Sequence, residues 1–315
     1  MPGLPLVTGA TGFAGSHLVD HLLEEEPAIA AWAHVRDRAS HLASDPRVLW
    51  NSVDILDRQG VANALADLRP SAVYHCAGIA HVGESWSQPV RALSVNVLGT
   101  HHVLEGIRVA GLNCPVLVTG SAFVYRPSTA FLREDDPIGP SDPYGVSKLA
   151  QEMLAAHAGH TPVFIVRPFN HAGPRQSPTY VTSSFARQIA QIEAGQREPV
   201  LRVGNLESRR DITDVRDTVR AYRLVVRNGK PGRPYNVCSG QAYRIADLLD
   251  ALTRMSPTSI RVEVDSDRLR PSDNPVIAGD RSRISSETGW EPSIPIDRTL
   301  EDLLAYWRLQ TTRRS

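Results

Sequence analysis

Residues 4–18 read LPLVTGATGFAGSHL. A short apolar run, Leu4–Thr8, leads straight into Gly9, Gly12 and Gly15, and a helical pattern, Phe13–Glu25, follows. Glycine at such places lets backbone N–H groups approach a pyrophosphate at a helix N-terminus. The bland reading of the same stretch is a tight strand-to-helix turn. A strand before, an amphipathic helix after and a position at the head of the chain together favour the dinucleotide site. Gly9, Thr11, Gly12, Phe13, Ala14 and Gly15 are therefore candidate cofactor contacts.

The alternation continues downstream. Ala28–Ala33, Val48–Val53, Ala72–His75, Val116–Thr119 and Val163–Val166 read as strands; Arg58–Leu68, Val95–Ala110 and Tyr144–His157 read as helices. This rhythm predicts an α/β fold, a doubly wound parallel Rossmann sheet covered on both faces. The expected division is 1–167 for the dinucleotide-binding domain. Residues 168–315 are expected to form mainly a smaller C-terminal α/β substrate-binding lobe, with some segments returning to the sheet. After Pro168 the helical patterns are Arg187–Ala194, Val215–Arg227, Ala246–Met255 and Leu300–Leu309, and the strand candidates are Val200–Val203, Tyr235–Val237 and Arg261–Val264.

Composition narrows the class. Among 315 residues, 34 Lys plus Arg balance 34 Asp plus Glu, which argues against a whole-chain attraction to nucleic acid or a membrane surface. No apolar run reaches the roughly 18 residues that suggest a membrane span. The start, Met1-Pro2-Gly3-Leu4-Pro5, does not resemble a signal peptide, and Cys76, Cys114 and Cys238 fit free thiols in a reducing cytoplasm. The histidines show no metal-ligand spacing.

The second strand bears on which dinucleotide binds. An acid at its end would take the adenosine ribose and indicate NAD. Here Arg36 precedes the first carboxylate, Asp37, and is placed to meet a 2′-phosphate, so NADP(H) is favoured and NAD(H) stays possible. The alternative for Arg36 is a solvated surface residue. Asp54-Ile55 is a candidate for the adenine edge, and Asp54 is equally a candidate helix cap. Ala77-Gly78 offers a small-residue floor or simply a turn.

The chemistry sits in Ser121-Ala122-Phe123 and in Tyr144-Gly145-Val146-Ser147-Lys148. Tyr144 and Lys148 share one helix face. A phenol titrates near pH ~10, and a neighbouring ammonium favours its ionised form, so the pair can serve as acid or base. Ser121 can hydrogen-bond the same substrate oxygen. Ala122 and Phe123 can neither give nor take a proton.

These residues together resemble the extended short-chain dehydrogenase/reductase family of sugar-nucleotide epimerases, dehydratases and reductases. The matching positions are 8–15, Asp54, His75-Cys76-Ala77-Gly78, Asn96, Ser121, Tyr144 and Lys148, across nearly the whole chain. The resemblance implies that Tyr144 is the general acid/base. It implies that Lys148 bonds the nicotinamide ribose and lowers the Tyr144 pKa, and that Ser121 bonds the reacting oxygen. Asn96 and Pro168 join the cofactor set, though Asn96 also suits an N-cap. Dehydratases of the family carry two carboxylates directly after the catalytic Ser or Thr; Ala122 and Phe123 replace them here, and elimination needs a base within reach of its proton.

The second half, with Arg167-Pro168-Phe169-Asn170-His171 and Arg210-Asp211-Ile212-Thr213-Asp214, is similar to the GDP-4-keto-6-deoxy-mannose reductase branch. That similarity implies a GDP-sugar and NADPH-dependent reduction at C4 to GDP-D-rhamnose. The alternatives are a nucleotide-sugar C4-epimerase, a GDP-mannose 4,6-dehydratase-like enzyme or, in another class, a non-enzymatic NADP sensor. Substrate candidates are His81, Ser121, Asn170, Val181, Asn205, Arg210, Arg270 and Asp273. Arg210 and Arg270 suit a diphosphate, while Arg210 beside Asp211 also reads as a structural ion pair. Ala80 and Arg126 depart from the family pattern and are expected to alter the sugar pocket. A homodimer through a four-helix bundle and a cytoplasmic location complete the expectations.

Overall fold

The computed structural model describes residues 3–33, 42, 44–265 and 274–312. Its centre is a seven-stranded, all-parallel sheet of β1 (Pro5–Thr8), β2 (Ile29–Ala33), β3 (Val48–Ser52), β4 (Ala72–His75), β5 (Val116–Thr119), β6 (Val163–Pro168) and β10 (Pro234–Val237). The spatial order is β10-β6-β5-β4-β1-β2-β3, so the winding reverses between β1 and β4. A crevice opens at such a point, outside the carboxyl ends of the strands.

Successive strand residues feed opposite faces. On one face Val7, Tyr74, Leu117, Phe164 and Tyr235 meet α1 (Phe13–Leu22) and α8 (Val215–Asn228). On the other, Leu6, Val73, Val118 and Ile165 meet α2 (Arg58–Leu68), α5 (Gly99–Val109) and α6 (Pro143–Ala156). The short helices α3 (Val82–Ser87) and α4 (Pro89–Leu93) lie between β4 and α5.

The remaining elements build a smaller lobe. β7 (Asn170–Ala172), β9 (Arg209–Asp214), β11 (Ala242–Arg244) and β13 (Val276–Ile277) form one small sheet, and β8 (Val200–Val203) pairs with β12 (Arg261–Val264). Phe185, Ile189, Leu249, Leu252, Leu303 and Trp307 pack α7 (Val181–Glu193), α9 (Ile245–Arg254) and α11 (Ile296–Thr312) into a core of their own. α10 (Ser282–Thr288) returns to the large sheet, where Ile284 joins the α1 face.

Two expectations need correction. The helix expected to begin at Val95 is already helical from Pro89 and passes through a π turn, Ser94–Leu98. Asn96 is therefore no N-cap; it lies inside that turn, fully buried. Second, α7 starts at Val181 rather than Arg187. The charged stretch from Arg209 is a strand whose inner carboxylate Asp211 is satisfied by a neighbouring loop. Asp211 accepts from Ser239 N and Oγ and from Gly240 N.

Candidate active site

A cavity of ≈ 290 Å³ occupies the crevice above β1, β4, β5 and β6. Gly9, Gly12, Phe13, Ala14, Gly15, Gly78, Ser121, Tyr144, Lys148, Pro168 and Asn170 all line it. Gly9 has φ +65°, and a Cβ there would stand 2.7 Å from the Ala77 backbone; one on Gly15 would stand 2.1 Å from Gly9 O. The loop is thus drawn tight under α1. Gly12 caps α1 with no side-chain bond, which leaves the first N–H groups of the helix open toward the cavity. This cradle fits a dinucleotide pyrophosphate. Thr11 is exposed and does not line the cavity.

Around this loop the other candidates make hydrogen bonds or contacts within the chain. Asp54 accepts from Leu56 N at 2.9 Å, and the cap of α2 is Asp57, which accepts from Gly60 N. Ile55 is buried against Gly99. Ala77 N donates to Thr8 Oγ1. Asn96 stands behind Gly78, accepting from Ile79 N at 2.9 Å and donating to Ser147 Oγ at 2.8 Å. It braces α6 against the floor of the crevice. Arg36 lies outside the described residues.

The catalytic candidates converge from two elements. Ser121 follows β5 and heads a single 3-10 turn, Ala122–Val124, with its Oγ accepting from Phe123 N at 3.2 Å. Tyr144 is held at the start of α6, where Pro143 begins the helix and Asp142 accepts from Gly145 N at 2.8 Å. A Cβ on Gly145 would lie 2.3 Å from Phe123 O, so glycine lets α6 close onto the Ser121 turn. Ser121 stands next to the Tyr144 phenol and acts to lower its pKa.

Burial pushes the Tyr144 phenol above its ordinary range, and Ser121 pulls the other way. Lys148 is not among the groups that shift it, against expectation. Lys148 instead donates to Thr119 O at 2.8 Å and to Gln151 Oε1 at 3.0 Å. Burial lowers this ammonium to about 8. In the structure Tyr144 is thus a protonated acid beside a buried, still charged lysine at neutral pH.

Phe123 packs edge-on against the Tyr144 ring, centroids 5.6 Å apart. Among the described residues lining the cavity there is no Asp or Glu. The position that would need a carboxylate for elimination is filled by a phenyl ring.

The substrate candidates divide. Asn170 lines the cavity, and its Oδ1 is buried without a hydrogen-bond partner. His81 caps α3 by accepting from Glu84 N and meets the ring of the cavity residue Tyr180 edge-on. Val181 and Asn205 are exposed outside the cavity, and Asn205 accepts from Glu207 N. Arg210 donates to Arg209 O and Asn274 O, not to Asp211. Arg270 and Asp273 lie outside the described residues. Ala80 does line the cavity, whereas Arg126 packs on Gly139 at the surface, away from it.

Sequence reasoning missed Tyr180, Gln176, His171 and Tyr222, which also line the cavity. His171 stacks on Phe13 at 5.5 Å and so ties the lobe to the glycine loop. The one available signal was an aromatic residue, Tyr180, in a polar loop just before a helix.

Residues 6–303 match the family model described as GDP-mannose 4,6 dehydratase. The chain is 34% identical to the GDP-6-deoxy-D-mannose reductase of Pseudomonas aeruginosa, covering 96% of both. It is 28% identical to the UDP-glucose 4-epimerase of Bacillus subtilis, covering 98% of this chain and 96% of that one. Among solved structures, RMD from Pseudomonas aeruginosa complexed with NADPH superposes with a TM-score of 0.85 at 32% identity, over 98% of this chain and 99% of that one. The Thermus thermophilus UDP-glucose 4-epimerase complex with NAD does so at 0.85 and 26%, over 96% and 98%.

Proposed function

The chain belongs to the GDP-mannose 4,6-dehydratase family, within the extended short-chain dehydrogenase/reductases, and on that premise we propose that it reduces the C4 keto group of GDP-4-keto-6-deoxy-D-mannose with NADPH, giving GDP-D-rhamnose. The observation that carries the reading is a Ser121/Tyr144/Lys148 set in a cavity whose described lining holds no carboxylate. That set can move a proton and orient a carbonyl, and no described group in the lining can act as the carboxylate base of a dehydration.

NADPH, when bound along the glycine cradle, supplies the hydride for C4. Tyr144 donates its proton to the C4 oxygen, so the carbonyl gains one hydride and one proton and becomes an alcohol. Ser121 hydrogen-bonds that oxygen as charge develops, a contribution of about 3 kcal/mol for one well-placed donor. Lys148 holds the nicotinamide ribose with the N–H bond that Thr119 and Gln151 leave over. Asn170 Oδ1 accepts from a substrate hydroxyl. A phenol kept protonated by burial suits the reductive direction.

The test is direct. Purified protein, NADPH and GDP-4-keto-6-deoxy-mannose are mixed and the absorbance of the reduced nicotinamide is followed. Stoichiometric oxidation is expected; none would overturn the reading. Tightly held NAD with no net consumption would mark a C4-epimerase instead.

We further propose a homodimer built on α4, α5 and α6, in the cytoplasm. Val90 and Leu93 on α4, Leu98 in the π turn that leads into α5, and Val146 and Met153 on α6 expose apolar side chains, and Trp86 on α3 is exposed as well. Among the described residues no helix is long and apolar enough to cross a membrane. Light scattering should give twice the chain mass for the native protein and the single-chain mass for Val90→Asp with Met153→Glu.

A further inference from the structure

We propose that Gln151 is the residue that positions the Lys148 ammonium, and that Thr100 and His75 in turn fix the orientation of Gln151. The proposal rests on the role given to Lys148 above, but it is tested separately from that role. An ammonium has three N–H bonds. Two are committed, to Thr119 O at 2.8 Å and Gln151 Oε1 at 3.0 Å. The third is left for the cavity on the side of Gly78, where a Cβ would stand 3.5 Å from Nζ. Of the two acceptors, Gln151 is the side chain.

An amide can be turned either way, and here the hydrogen bonds behind it decide. Thr100 Oγ1 gives its one proton to Asn96 O at 2.7 Å, one helical turn back. It must therefore accept from both Gln151 Nε2 at 2.8 Å and His75 Nε2 at 3.0 Å. The Gln151 amide nitrogen is thus turned to Thr100 and its oxygen to Lys148. His75 then carries its proton on Nε2 and accepts at Nδ1 from the Thr8 hydroxyl, 2.8 Å away. Thr8 Oγ1 accepts in turn from Ala77 N at 3.2 Å, and Thr119 Oγ1 donates to His75 O at 3.0 Å. One continuous line runs from the floor of the dinucleotide crevice to the ammonium, each donor meeting one acceptor. Thr8, His75, Thr100 and Gln151 are each fully buried.

The line has a single state at working pH. Burial holds His75 down at about 3, so it stays neutral and its tautomer does not change. The titratable groups facing Lys148 are the His75 ring and the Cys76 thiol from the end of β4; Tyr144 lies one turn earlier on α6. Tyr222 on α8 faces Cys76 and Tyr144. Cys76 is pushed up to about 12, and both phenols are raised by burial, so all these groups are neutral. With those groups neutral, Gln151 is the side chain that takes a hydrogen bond from the ammonium.

The sequence contains two lysines, Lys148 and Lys230, and Lys230 is well exposed near Glu287. Labelling the lysines of the full-length protein with 13C therefore gives two Cε signals, one of them an internal control. Native Lys148 should titrate near pH 8. Gln151→Glu puts a carboxylate against the ammonium and should raise that midpoint by about one unit or more; Gln151→Met removes the acceptor and should lower it by about half a unit or more. Lys230 should not move. The alkaline limb of kcat/KM should follow Lys148 in both variants, with circular dichroism unchanged. A Lys148 midpoint unmoved by both substitutions in folded protein overturns the proposal. A midpoint that moves as expected while the pH–rate profile stays put supports the positioning by Gln151 and removes Lys148 from turnover instead.

Discussion

Tyr144→Phe is expected to lower kcat for NADPH-dependent reduction by about 10²–10⁴-fold, the usual worth of a positioned proton donor. The variant keeps the ring that packs edge-on against Phe123 and removes only the hydroxyl. Ser121 retains its bond from Phe123 N, so the turn that carries it is preserved. The lost interaction is one made as the C4 oxygen gains charge. The loss should accordingly fall on kcat and kcat/KM alike, with KM, NADPH affinity and melting temperature close to native. A variant that turned over at the native rate would remove Tyr144 from the role of acid, because no other described lining group is a protonated donor beside Ser121.

The second large effect concerns stability. Arg167 on β6 donates to Glu152 on α6 through two bonds, 3.0 and 2.5 Å, and to Tyr125 Oη at 2.8 Å and Glu134 O at 2.9 Å. Both members of the ion pair are almost out of water, with side-chain exposures of 5% and 10%. Tyr125 passes the chain of bonds on to Asn236 of β10 at 2.7 Å. Arg167→Met should cost about 3–5 kcal/mol of unfolding free energy, because it leaves the Glu152 carboxylate buried and unpaired. Adding Glu152→Met should restore much of that loss, since the uncompensated charge is then gone. Urea unfolding of the two variants measures both numbers. A single variant within about 0.5 kcal/mol of native, the range of ordinary surface substitutions, would mean that the carboxylate finds water or a proton instead. The same bonds tie together the Ser121 turn, the Tyr144 helix and the strand leading to Pro168 and Asn170. Reduced turnover in the folded fraction is therefore expected as well.

Much of this was legible in the chain. Apolar runs such as Val116–Thr119 are buried on both faces and so read as strands without ambiguity. Gly9 and Gly15 announced a close backbone approach that the structure requires. Ser121, Tyr144 and Lys148 could be found because order and spacing carry them. What stayed hidden depended on long-range pairing. β9 is charged, and its Asp211 is buried because the Ser239–Gly240 loop satisfies it, while Asp214 accepts from nearby Arg216 N and from Thr299 Oγ1 on the distant α11. No local pattern shows that. Asn96 looked like a cap because a cap and a buried bracket use the same amide, and only the fold brings Ile79 and Ser147 to it. Likewise the expected pull of Lys148 on Tyr144 followed from helix spacing and the family resemblance, whereas the ammonium is turned toward Thr119 and Gln151.

The position of β10 has a consequence for dividing the molecule. It covers the flank of β6 in parallel register, Tyr235 opposite Val166 and Val237 opposite Pro168, although its residues arrive only after β7, α7, β8 and β9 of the lobe, with β11, α9, β12, β13 and α11 still to follow. A fragment stopped at residue 168 would present a bare row of N–H and C=O groups along β6, an invitation to pair with another copy. Such a fragment should precipitate rather than bind nucleotide, and adding back a separate piece that carries Pro234–Val237 should rescue it. The chain is interlaced, and it must be inherited, expressed and recombined as one unit.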